Sequence, residues 1–432
     1  MTRTLVINRT LAVPPGVDIE GGTLKNGTNM SGTLLTNNTF LKYEDGAKNR
    51  LTHVKFESSG DFQLSNWANA VVVLKNCRDI TIEQCTFNLN QAYAPKGAEG
   101  VWITGENSSG NRILFNTLYT AGIEYAENGS STGLIKGNLI INAHSNALSG
   151  HGNGKKNCNQ NIITQNIITD AGFIGIEDWG NCYGSVISGN RITGTGKSPS
   201  QQHEGMGISA VGTNTIVKDN IVRDARLYYI ESRGAGHMLI TNNRIIDSQF
   251  KAIGIISNFT SPASDGDTTI GFSSIHHNSI QGTTEGIQVF GNFITKLLVD
   301  SNTLVNPRDR GIDIDSDAGN YQVEVLANKF IFDSSTGQSR LAILAFTRQK
   351  DLTGQRLLIK NNKFTYPQIA LTPTPRETVW LIGTNNSTIT GNAILSKDKS
   401  LRILSTTGAS VTGLKISGNV LNGQVATIKS RN

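Results

Sequence analysis

The chain alternates short apolar runs with polar turn residues along almost its whole length. Runs of Ile, Val and Leu are separated by Gly, Asn, Ser and Thr, and 46 glycines accompany only 9 prolines among 432 residues. These polar residues are typical of tight turns at close intervals. The pattern contains no long stretch with helical periodicity, so it predicts many short β-strands and an all-β protein.

One element of the pattern recurs, an asparagine two positions before an apolar residue. From Cys85, which takes the same place in "QCTF", successive copies are spaced by 22 to 35 residues. The asparagines are Asn116, Asn138, Asn166, Asn190, Asn220, Asn243, Asn278, Asn302, Asn328, Asn362, Asn392 and Asn419. A repeat whose spacing has a fixed minimum and a variable number of extra residues is typical of a right-handed parallel β-helix. In that fold each coil holds three short strands, and insertions occur at the turns. We therefore predict such a solenoid of about 12–14 coils with loop insertions. Asparagine tolerates left-handed turns, and stacked asparagines can form a hydrogen-bonded ladder.

A second phrase, Gly-Ile-x-x, follows most of these asparagines and is predicted to be the next strand of each coil. Since side chains alternate along a strand, the isoleucine points inward and the next residue outward. The outward column is then Trp102, Glu124, Ser149, Glu177, Ser209, Glu231, Ile256, Gln288 and Asp313. Two residues further on, the column is Thr104, Ala126, His151, Trp179, Val211, Arg233, Asn258, Phe290 and Asp315.

Three glutamates in the outward column are the main candidates for catalysis. Glu124, Glu177 and Glu231 occur on alternate coils, which separates neighbours by about 9–10 Å at the backbone. Inverting glycosidases hold their acid and base roughly 6.5–9.5 Å apart, so the spacing permits such a pair. We predict Glu177 and Glu231 as the acid and base, with Glu124 as a third candidate. A lone glutamate is more often a solvated surface acid.

Residues around this column suit a sugar. Trp179 and Tyr228 offer flat apolar faces, and Arg233 and His151 offer hydrogen-bond donors. The remaining substrate-binding candidates are His203 and Glu204, on the long insertion before Gly207, and Asp178. Alternation points Asp178 inward, so either it is paired or the strand ends at Glu177.

Composition and charge narrow the function further. The net charge is +6 without a run of Lys or Arg, so a nucleic-acid partner is not expected. No apolar run approaches the ~18 residues of a membrane span, and no secretory signal is recognised.

The four cysteines form no C-x-x-C pair, so we expect no zinc site and mostly free, buried thiols, with a pairing of Cys158 and Cys182 conceivable. "DIDSD" at Asp313 is a solvated acidic edge in preference to a calcium site. We expect neither metal nor cofactor.

The division of the chain predicted from the repeat has three parts. Residues 1–25 form an N-terminal cap or entry, residues 26–330 form the β-helix with the catalytic face, and residues 331–432 form C-terminal coils that stabilise or assemble the protein.

The repeats and the opening "VPPGVDIEGGTLK" resemble the pectate-lyase-like right-handed β-helix superfamily, and within it the phage tailspike depolymerases. The resemblance implies a bacterial polysaccharide substrate, a homotrimer, and a place in a virion tail or outside the cell. One departure is that the polygalacturonase signature is reduced to Gly150, His151 and Gly152, without its "DD" or "RIK" parts.

Three functions follow as expectations. The first is a depolymerase that hydrolyses glycosidic bonds in a capsular, exopolysaccharide or O-antigen polymer. The second is a polysaccharide lyase acting by β-elimination on a uronate, with Arg233, Tyr228 and His151 carrying the chemistry. The third is a non-catalytic, carbohydrate-binding spike or adhesin.

Overall fold

The computed structural model describes most of the chain in eighteen segments. These are residues 3–27, 39–58, 70–91, 93, 97–152, 158–180, 182–200, 205–233, 237–247, 250–256, 269–290, 293–316, 320–332, 341–347, 356–366, 377–396, 401–407 and 413–425. The chain divides into two compact units, Met1–Leu227 and Tyr228–Asn432. Within the described segments, no helix is long and apolar enough to cross a membrane.

The described strands of the first unit are short, most of them three or four residues. They are β1 (Thr4–Ile7), β2 (Leu11–Val13), β3 (Ile19–Glu20), β4 (Thr23–Asn26), β5 (Leu41–Glu44), β6 (Arg50–Thr52), β7 (Lys55–Glu57), β8 (Ala70–Lys75), β9 (Thr81–Glu83), β10 (Thr86–Asn88), β11 (Glu99–Thr104), β12 (Arg112–Leu114), β13 (Thr117–Tyr119), β14 (Ile123–Glu127), β15 (Leu134–Lys136), β16 (Leu139–Ile141), β17 (Leu148–His151), β18 (Cys158–Asn159), β19 (Ile162–Thr164), β20 (Ile167–Thr169), β21 (Ile176–Trp179), β22 (Cys182–Tyr183), β23 (Val186–Ser188), β24 (Arg191–Thr193), β25 (Ile208–Ala210), β26 (Ile216–Lys218) and β27 (Ile221–Arg223).

The described strands of the second unit include longer ones. They are β28 (Tyr228–Arg233), β29 (Leu239–Thr241), β30 (Arg244–Ile246), β31 (Lys251–Ile256), β32 (Thr269–His276), β33 (Ser279–Gln281), β34 (Glu285–Phe290), β35 (Phe293–Asp300), β36 (Thr303–Val305), β37 (Arg310–Ser316), β38 (Asn320–Leu326), β39 (Lys329–Ile331), β40 (Leu341–Thr347), β41 (Arg356–Lys360), β42 (Lys363–Thr365), β43 (Glu377–Ile382), β44 (Ser387–Thr390), β45 (Ala393–Leu395), β46 (Arg402–Thr407), β47 (Lys415–Ser417), β48 (Val420–Leu421) and β49 (Gln424–Val425).

Each unit is a parallel β-helix whose coils repeat three strands. We call the sheet that contains β11, β14 and β21 sheet B, the sheet that contains β12 and β15 sheet C, and the sheet that contains β13 and β16 sheet A. In the second unit sheet B contains β28, β31, β34 and β37, and the other strands follow the same order. Consecutive strands of one sheet pair in parallel, as β11 does with β14 and β34 with β37. The predicted solenoid is therefore confirmed.

The recurring asparagines stack at the turn between sheets C and A. The backbone N–H and the side-chain amide of Asn116 both donate to Oδ1 of Asn138, at 2.9 and 3.0 Å, and the same amide donates to the carbonyl of Ile82. The pattern repeats through Asn166, Asn190 and Asn220, and in the second unit from Asn243 to Asn419. Cys85 takes the predicted place at one end, since its N–H donates to Asn116. The ladder satisfies polar groups that would be costly to bury unpaired.

The residue with left-handed backbone conformation in this turn is the one before the ladder asparagine, whereas the sequence predicted the asparagine itself. Phe115 and Gln165 have φ angles of 53° and 57°, and Gly137 takes the same conformation before Asn138. The asparagine is therefore needed for the hydrogen bonds of its side chain and not for its backbone conformation.

The glycine of the Gly-Ile phrase lies where one coil passes close to the next. A Cβ atom at Gly175 would lie 2.5 Å from the carbonyl oxygen of Gly207 and 2.8 Å from a methyl carbon of Ile192. A Cβ at Gly122 would collide with the carbonyl oxygen of Asn146. The glycine thus allows the backbones to approach, and the isoleucine after it fills the core. In one coil Ile113, Leu118 and Ile123 are all fully buried.

The coil begins inside the segment predicted to be a cap. β1 pairs in register with β4, and β2 pairs with β5, so residues 4–26 already supply strands to all three sheets. The predicted division of roles at residue 330 stays a prediction.

One disulfide joins neighbouring coils of the first unit. Cys158 and Cys182 are bonded across the two-stranded sheet of β18 and β22, with 24 residues between their positions in sequence. Cys77 and Cys85 are free and buried. The pairing considered conceivable from the sequence is present, and it lies just after the strands that carry His151 and Trp179.

We predict that this disulfide stabilises the first unit by about 3 kcal/mol, the value expected for a closed loop of this length. The double substitution C158S/C182S should lower the free energy of unfolding by that amount in urea denaturation. A reductant should bring the wild type to the level of the variant and leave the variant unchanged. An equal response of both proteins to reductant would contradict the prediction.

Candidate functional site

The outward face of sheet B in the first unit brings two columns of polar side chains together. In the first column Trp102, Glu124, Ser149, Glu177 and Ser209 are in register, as the sequence predicted. In the second column Thr104, Glu127, His151 and Trp179 are in register. Ala126 was predicted for the second column, but a β-bulge in β14 moves Glu127 into its place and turns Ala126 into the core.

His151 lies between two carboxylates. Its Nδ1 is 3.2 Å from Oε2 of Glu124, and its Nε2 is 3.0 Å from Oε2 of Glu177. Burial lowers the pKa of the imidazole, but the charges and hydrogen bonds of the two carboxylates outweigh that effect and raise it well above its usual value. His151 is therefore an imidazolium at neutral pH, and 37% of its side chain is exposed to solvent.

Further hydrogen bonds fix both carboxylates in place. Ser149 donates from its hydroxyl to Oε2 of Glu124 at 2.6 Å. Asn146 donates from its side-chain amide to Oε2 of Glu177, and its own Oδ1 accepts from the backbone N–H of Ile174. Glu177 is thus held in a single orientation by groups that suit the ionised form.

Glu99, at the start of β11, is a carboxyl group that holds its proton at neutral pH. Burial, and then the charge of Glu124, raise its pKa to about 8, although a hydrogen bond from the N–H of Gly122 opposes the shift. Its Oε1 is 3.6 Å from Nε2 of His144, but burial lowers the pKa of that histidine to about 4. The proton therefore stays on Glu99, and the contact is a neutral pair instead of an ion pair.

The carboxyl groups of Glu99 and Glu177 lean towards each other from strands three apart. Glu99 reaches the N–H of Gly122 at 2.8 Å, and Glu177 reaches the side chain of Asn146. Gly122 and Asn146 are themselves neighbours, since a Cβ at Gly122 would collide with the Asn146 carbonyl. The exposed fractions of the Glu99, Glu124 and Glu177 side chains are 16%, 14% and 11%, so each offers part of its surface to a ligand.

Two tryptophans flank these carboxyl groups. Trp179 is adjacent to His151 in register, and Trp102 is adjacent to Glu124. Both are half-buried. Glu127 accepts hydrogen bonds from Thr104 and Trp102, and burial, with the charge of Glu124, raises its pKa. The face therefore combines carboxyl groups with flat apolar surfaces, the combination that pyranose rings require.

Asp178 points into the core and is paired, one of the two alternatives left open by the sequence. The hydroxyls of Tyr125 and Ser185 lie 3.0 and 3.1 Å from its Oδ1, and that of Thr215 lies 3.4 Å from its Oδ2. A Cβ at Gly150 would lie 2.5 Å from the ring of Tyr125, so this glycine makes room for that ring. The carboxyl group is fully buried, and as an interior acid it does not contact a substrate.

The buried Asp178 predicts a distinctive dependence of stability on pH. Burial raises its pKa to about 6, although three hydroxyl hydrogen bonds lower it. A folded pKa above the unfolded one gives stability that is present at low pH and lost as pH rises through the folded value. Relative to Asp178→Asn, the wild type should lose about 3 kcal/mol of unfolding free energy between about pH 3.5 and about pH 6.5.

Urea denaturation across this pH range measures the difference between the two proteins. The matched control is Asp224→Asn, because the carboxylate of Asp224 is exposed. This variant should show the same pH dependence of stability as the wild type. A constant difference between wild type and Asp178→Asn would exclude the raised pKa.

The other predicted site residues belong to the second unit or lie outside the described part of the chain. Glu231 and Tyr228 belong to the second unit, where Glu231 is fully buried and Tyr228 donates its hydroxyl to Gln288. The pairing of Glu231 with Glu177 as base and acid stays a prediction. Arg233 ends β28, and its side chain lies outside the described part, as do His203 and Glu204.

The columns of the second unit also correct the register read from the sequence. Gly254, and not Ile256, lies between Glu231 and Gln288, while Ile256 lies in the column of Arg233 and Phe290. In this coil Ala252 stands where the other coils have the glycine of the Gly-Ile phrase. The sequence placed that glycine at Gly254, so the predicted register was wrong by two residues.

Sequence reasoning missed Glu99 and Glu127 for identifiable reasons. Glu99 precedes the glycine of its coil, and only residues after that glycine were considered. Glu127 enters the site through the bulge in β14, which leaves no simple mark in the pattern. The sequence signal that could have identified Glu99 is an acidic residue directly before the glycine of the Gly-Ile phrase. The same signal recurs at Glu285.

Metal ligation is not suggested by the geometry of the described residues. Among them, no group of three or more His, Cys, Asp or Glu side chains is arranged to hold an ion. Asp313 of "DIDSD" is buried and accepts a hydrogen bond from Arg310 at 2.6 Å, so it is not the solvated edge expected from the sequence.

Comparisons with known proteins agree with this architecture. A family model described as a right handed beta helix region matches residues 179–330. A mutant tailspike protein of E. coli bacteriophage HK620 is 10% identical with a TM-score of 0.50, over 94% of this chain and 73% of that one. A double mutant of the periplasmic alginate epimerase AlgG is 11% identical with a TM-score of 0.43, over 94% and 79%. No curated protein matches the sequence. At 10% identity the likeness to the tailspike protein is one of fold, and with the family match it confirms the right-handed parallel β-helix.

Proposed function

We propose that the protein is a polysaccharide depolymerase that hydrolyses glycosidic bonds on the outward face of sheet B in its first unit. The observation that carries the proposal is the set of three part-exposed carboxyl groups around His151, of which Glu99 keeps a proton while Glu177 is held as an acceptor. Glycoside hydrolysis needs one carboxyl group in each of these two states.

The roles follow from the protonation states. Glu99 is the general acid that donates its proton to the leaving glycosidic oxygen. Glu177 is the base that removes a proton from the attacking water, and Asn146 and His151 orient it. Glu124 supports both groups, because its charge adds to the burial that keeps the proton on Glu99, and its carboxylate holds His151. Trp179 provides a stacking surface beside the base.

The charge of the face favours hydrolysis over β-elimination. Elimination from a uronate requires cationic groups that neutralise the sugar carboxylate. Here Glu99 is neutral and the carboxylates of Glu124 and Glu177 flank the imidazolium of His151, so this cluster has no surplus positive charge with which to neutralise an anionic sugar. A neutral or weakly charged sugar at the point of cleavage fits better.

The biological setting is proposed from resemblance. The opening of the chain and its repeats resemble phage tailspikes, and tailspike structures are among the matches of fold. We therefore propose a bacterial surface polysaccharide as substrate, a homotrimer as the assembly and a virion tail as the location.

A panel of purified capsular and O-antigen polysaccharides tests the function. Incubation with the protein should release oligosaccharides of discrete mass and new reducing ends from at least one polymer. Products that absorb near the ultraviolet edge would identify elimination and overturn hydrolysis. Binding without any fragment would support the carbohydrate-binding spike.

A further inference from the structure

The second unit carries a polar cluster on the outward face of its own sheet B. Tyr228, Lys251, Glu285 and Arg310 are in register on β28, β31, β34 and β37. Gln288 and Asp313 occupy the next outward column. We call these six residues the Lys251 cluster. None of them takes part in the hydrolysis proposed above.

The Lys251 cluster is a built arrangement and not a row of independent surface groups. The ring of Tyr228 lies over Gly254, where a Cβ atom would collide with it. This places the Tyr228 hydroxyl 2.9 Å from Oε1 of Gln288, and Lys251 Nζ donates to the same oxygen at 2.6 Å. The side-chain oxygen of Gln288 is thus engaged twice.

Two aromatic rings lie next to the Lys251 ammonium group. Its Nζ is 5.6 Å from the centroid of the Tyr228 ring and 5.2 Å from that of Phe250. The two rings meet edge to face with centroids 6.1 Å apart. Phe250 is 39% exposed, so an apolar surface faces solvent directly beside the polar groups.

Asp313 has a buried acceptor atom to which no described residue donates. Arg310 Nη1 donates to its Oδ2 at 2.6 Å, and only 4% of the side chain is exposed. Its Oδ1 receives no hydrogen bond from the described residues, and neither does Oε2 of Glu285, which lies 3.4 Å from Lys251 Nζ. Burial raises the pKa of both carboxyl groups. A buried polar atom without a partner costs about 1–3 kcal/mol, and costs of this kind are found mainly at functional sites.

We infer that the Lys251 cluster and Phe250 form a second saccharide-binding site, which anchors a neutral pyranose of the polymer. Sugar hydroxyls bond to the part-exposed side chains of Lys251 and Arg310, whose exposed fractions are 15% and 34%, and the ring packs on Phe250. Lys251 and Arg310 are already paired with carboxylates, so the cluster does not select an anionic sugar. The inference rests on the proposed function only in taking a polysaccharide as the ligand.

Affinity electrophoresis in gels that contain the same polysaccharide panel tests the site. The full-length chain with Glu177→Gln is used so that cleavage does not interfere. In that background Phe250→Ala should weaken binding of the retarding polysaccharide about tenfold, the loss expected for one stacking contact. Gln288→Ala should also weaken it, by releasing Tyr228 and Lys251.

Phe272→Ala is the matched control, because Phe272 is also exposed, at 46%, and Lys296 also lies over its ring, but on sheet C. It should bind as the parent does. With Glu177 restored, Phe250→Ala should raise KM on the polymer and leave kcat unchanged.

The outcomes separate the two proposals. Cleavage of a polymer with unchanged binding and KM in Phe250→Ala and Gln288→Ala overturns the second site and leaves the proposed hydrolysis standing. Retardation that depends on Phe250 but comes without cleavage by the wild type supports the site and overturns hydrolysis. A panel in which no polymer is retarded or cleaved overturns both.

Discussion

Replacing Glu177 with glutamine is expected to lower kcat on the polysaccharide by about 10²–10⁴-fold, the usual contribution of a general base. Glutamine keeps the size of the side chain and a hydrogen bond to Asn146, so the fold and the binding of polymer should persist. The release of reducing ends measures the rate, and gel retardation measures binding. A loss of kcat with unchanged affinity is the signature of a group that acts in the transition state.

Glu83→Gln is a matched control for this change. Glu83 is a part-exposed glutamate of the first unit in β9 of sheet C, where it faces Arg50 at 3.6 Å. Its substitution should leave the rate unaltered. If Glu177→Gln retains more than about a tenth of the wild-type rate, Glu177 is not the base.

Glu99→Gln is expected to lower kcat by a similar factor, about 10²–10⁴-fold, and to change the pH profile. The wild-type rate should fall as pH rises above about 8, because a raised pKa keeps the acid protonated only below that value. In the variant this limb should be absent, since no proton is left to lose. Rates measured from pH 6 to about pH 10 test both points.

Glu124→Gln gives an independent check on the same assignment. The charge of Glu124 raises the pKa of Glu99, so its removal should move the upper limb of the profile to lower pH. Glu127→Gln, at another part-exposed carboxyl group of the sheet, should leave the limb in place. An upper limb that persists in Glu99→Gln would assign the proton donor to another group, with His151 the next candidate.

The fold was predictable because its determinants are local and periodic. The spacing of Asn116, Asn138 and their successors indicated coils of three strands, and the side-chain bonds between coils bear this out. The outward column through Glu124 and Glu177 followed from alternation alone, since strands of one sheet stack with little shift in register.

The composition of the site was only partly predictable. Glu124, His151 and Glu177 meet as the columns implied, but the bulge in β14 replaced Ala126 with Glu127. Glu231 occupies an outward position in the pattern and is nevertheless fully buried, which alternation along a strand does not predict. Glu99 was overlooked because its importance comes from its neighbours, which raise its pKa, and distances between coils are not written in the sequence.

The asparagine ladder also bears on how such a chain changes length over evolution. Each asparagine donates from its backbone N–H and its side-chain amide to the asparagine of the next coil. The same amide also donates to a backbone carbonyl of the preceding coil, whose asparagine donates to its Oδ1. Deletion or duplication of one whole coil therefore brings equivalent hydrogen-bonding groups of the ladder together again. Loss of a few residues within a coil instead leaves a donor and an acceptor of the ladder unable to meet. Such genes are expected to gain and lose segments in units of entire turns, with smaller insertions confined to the loops between strands.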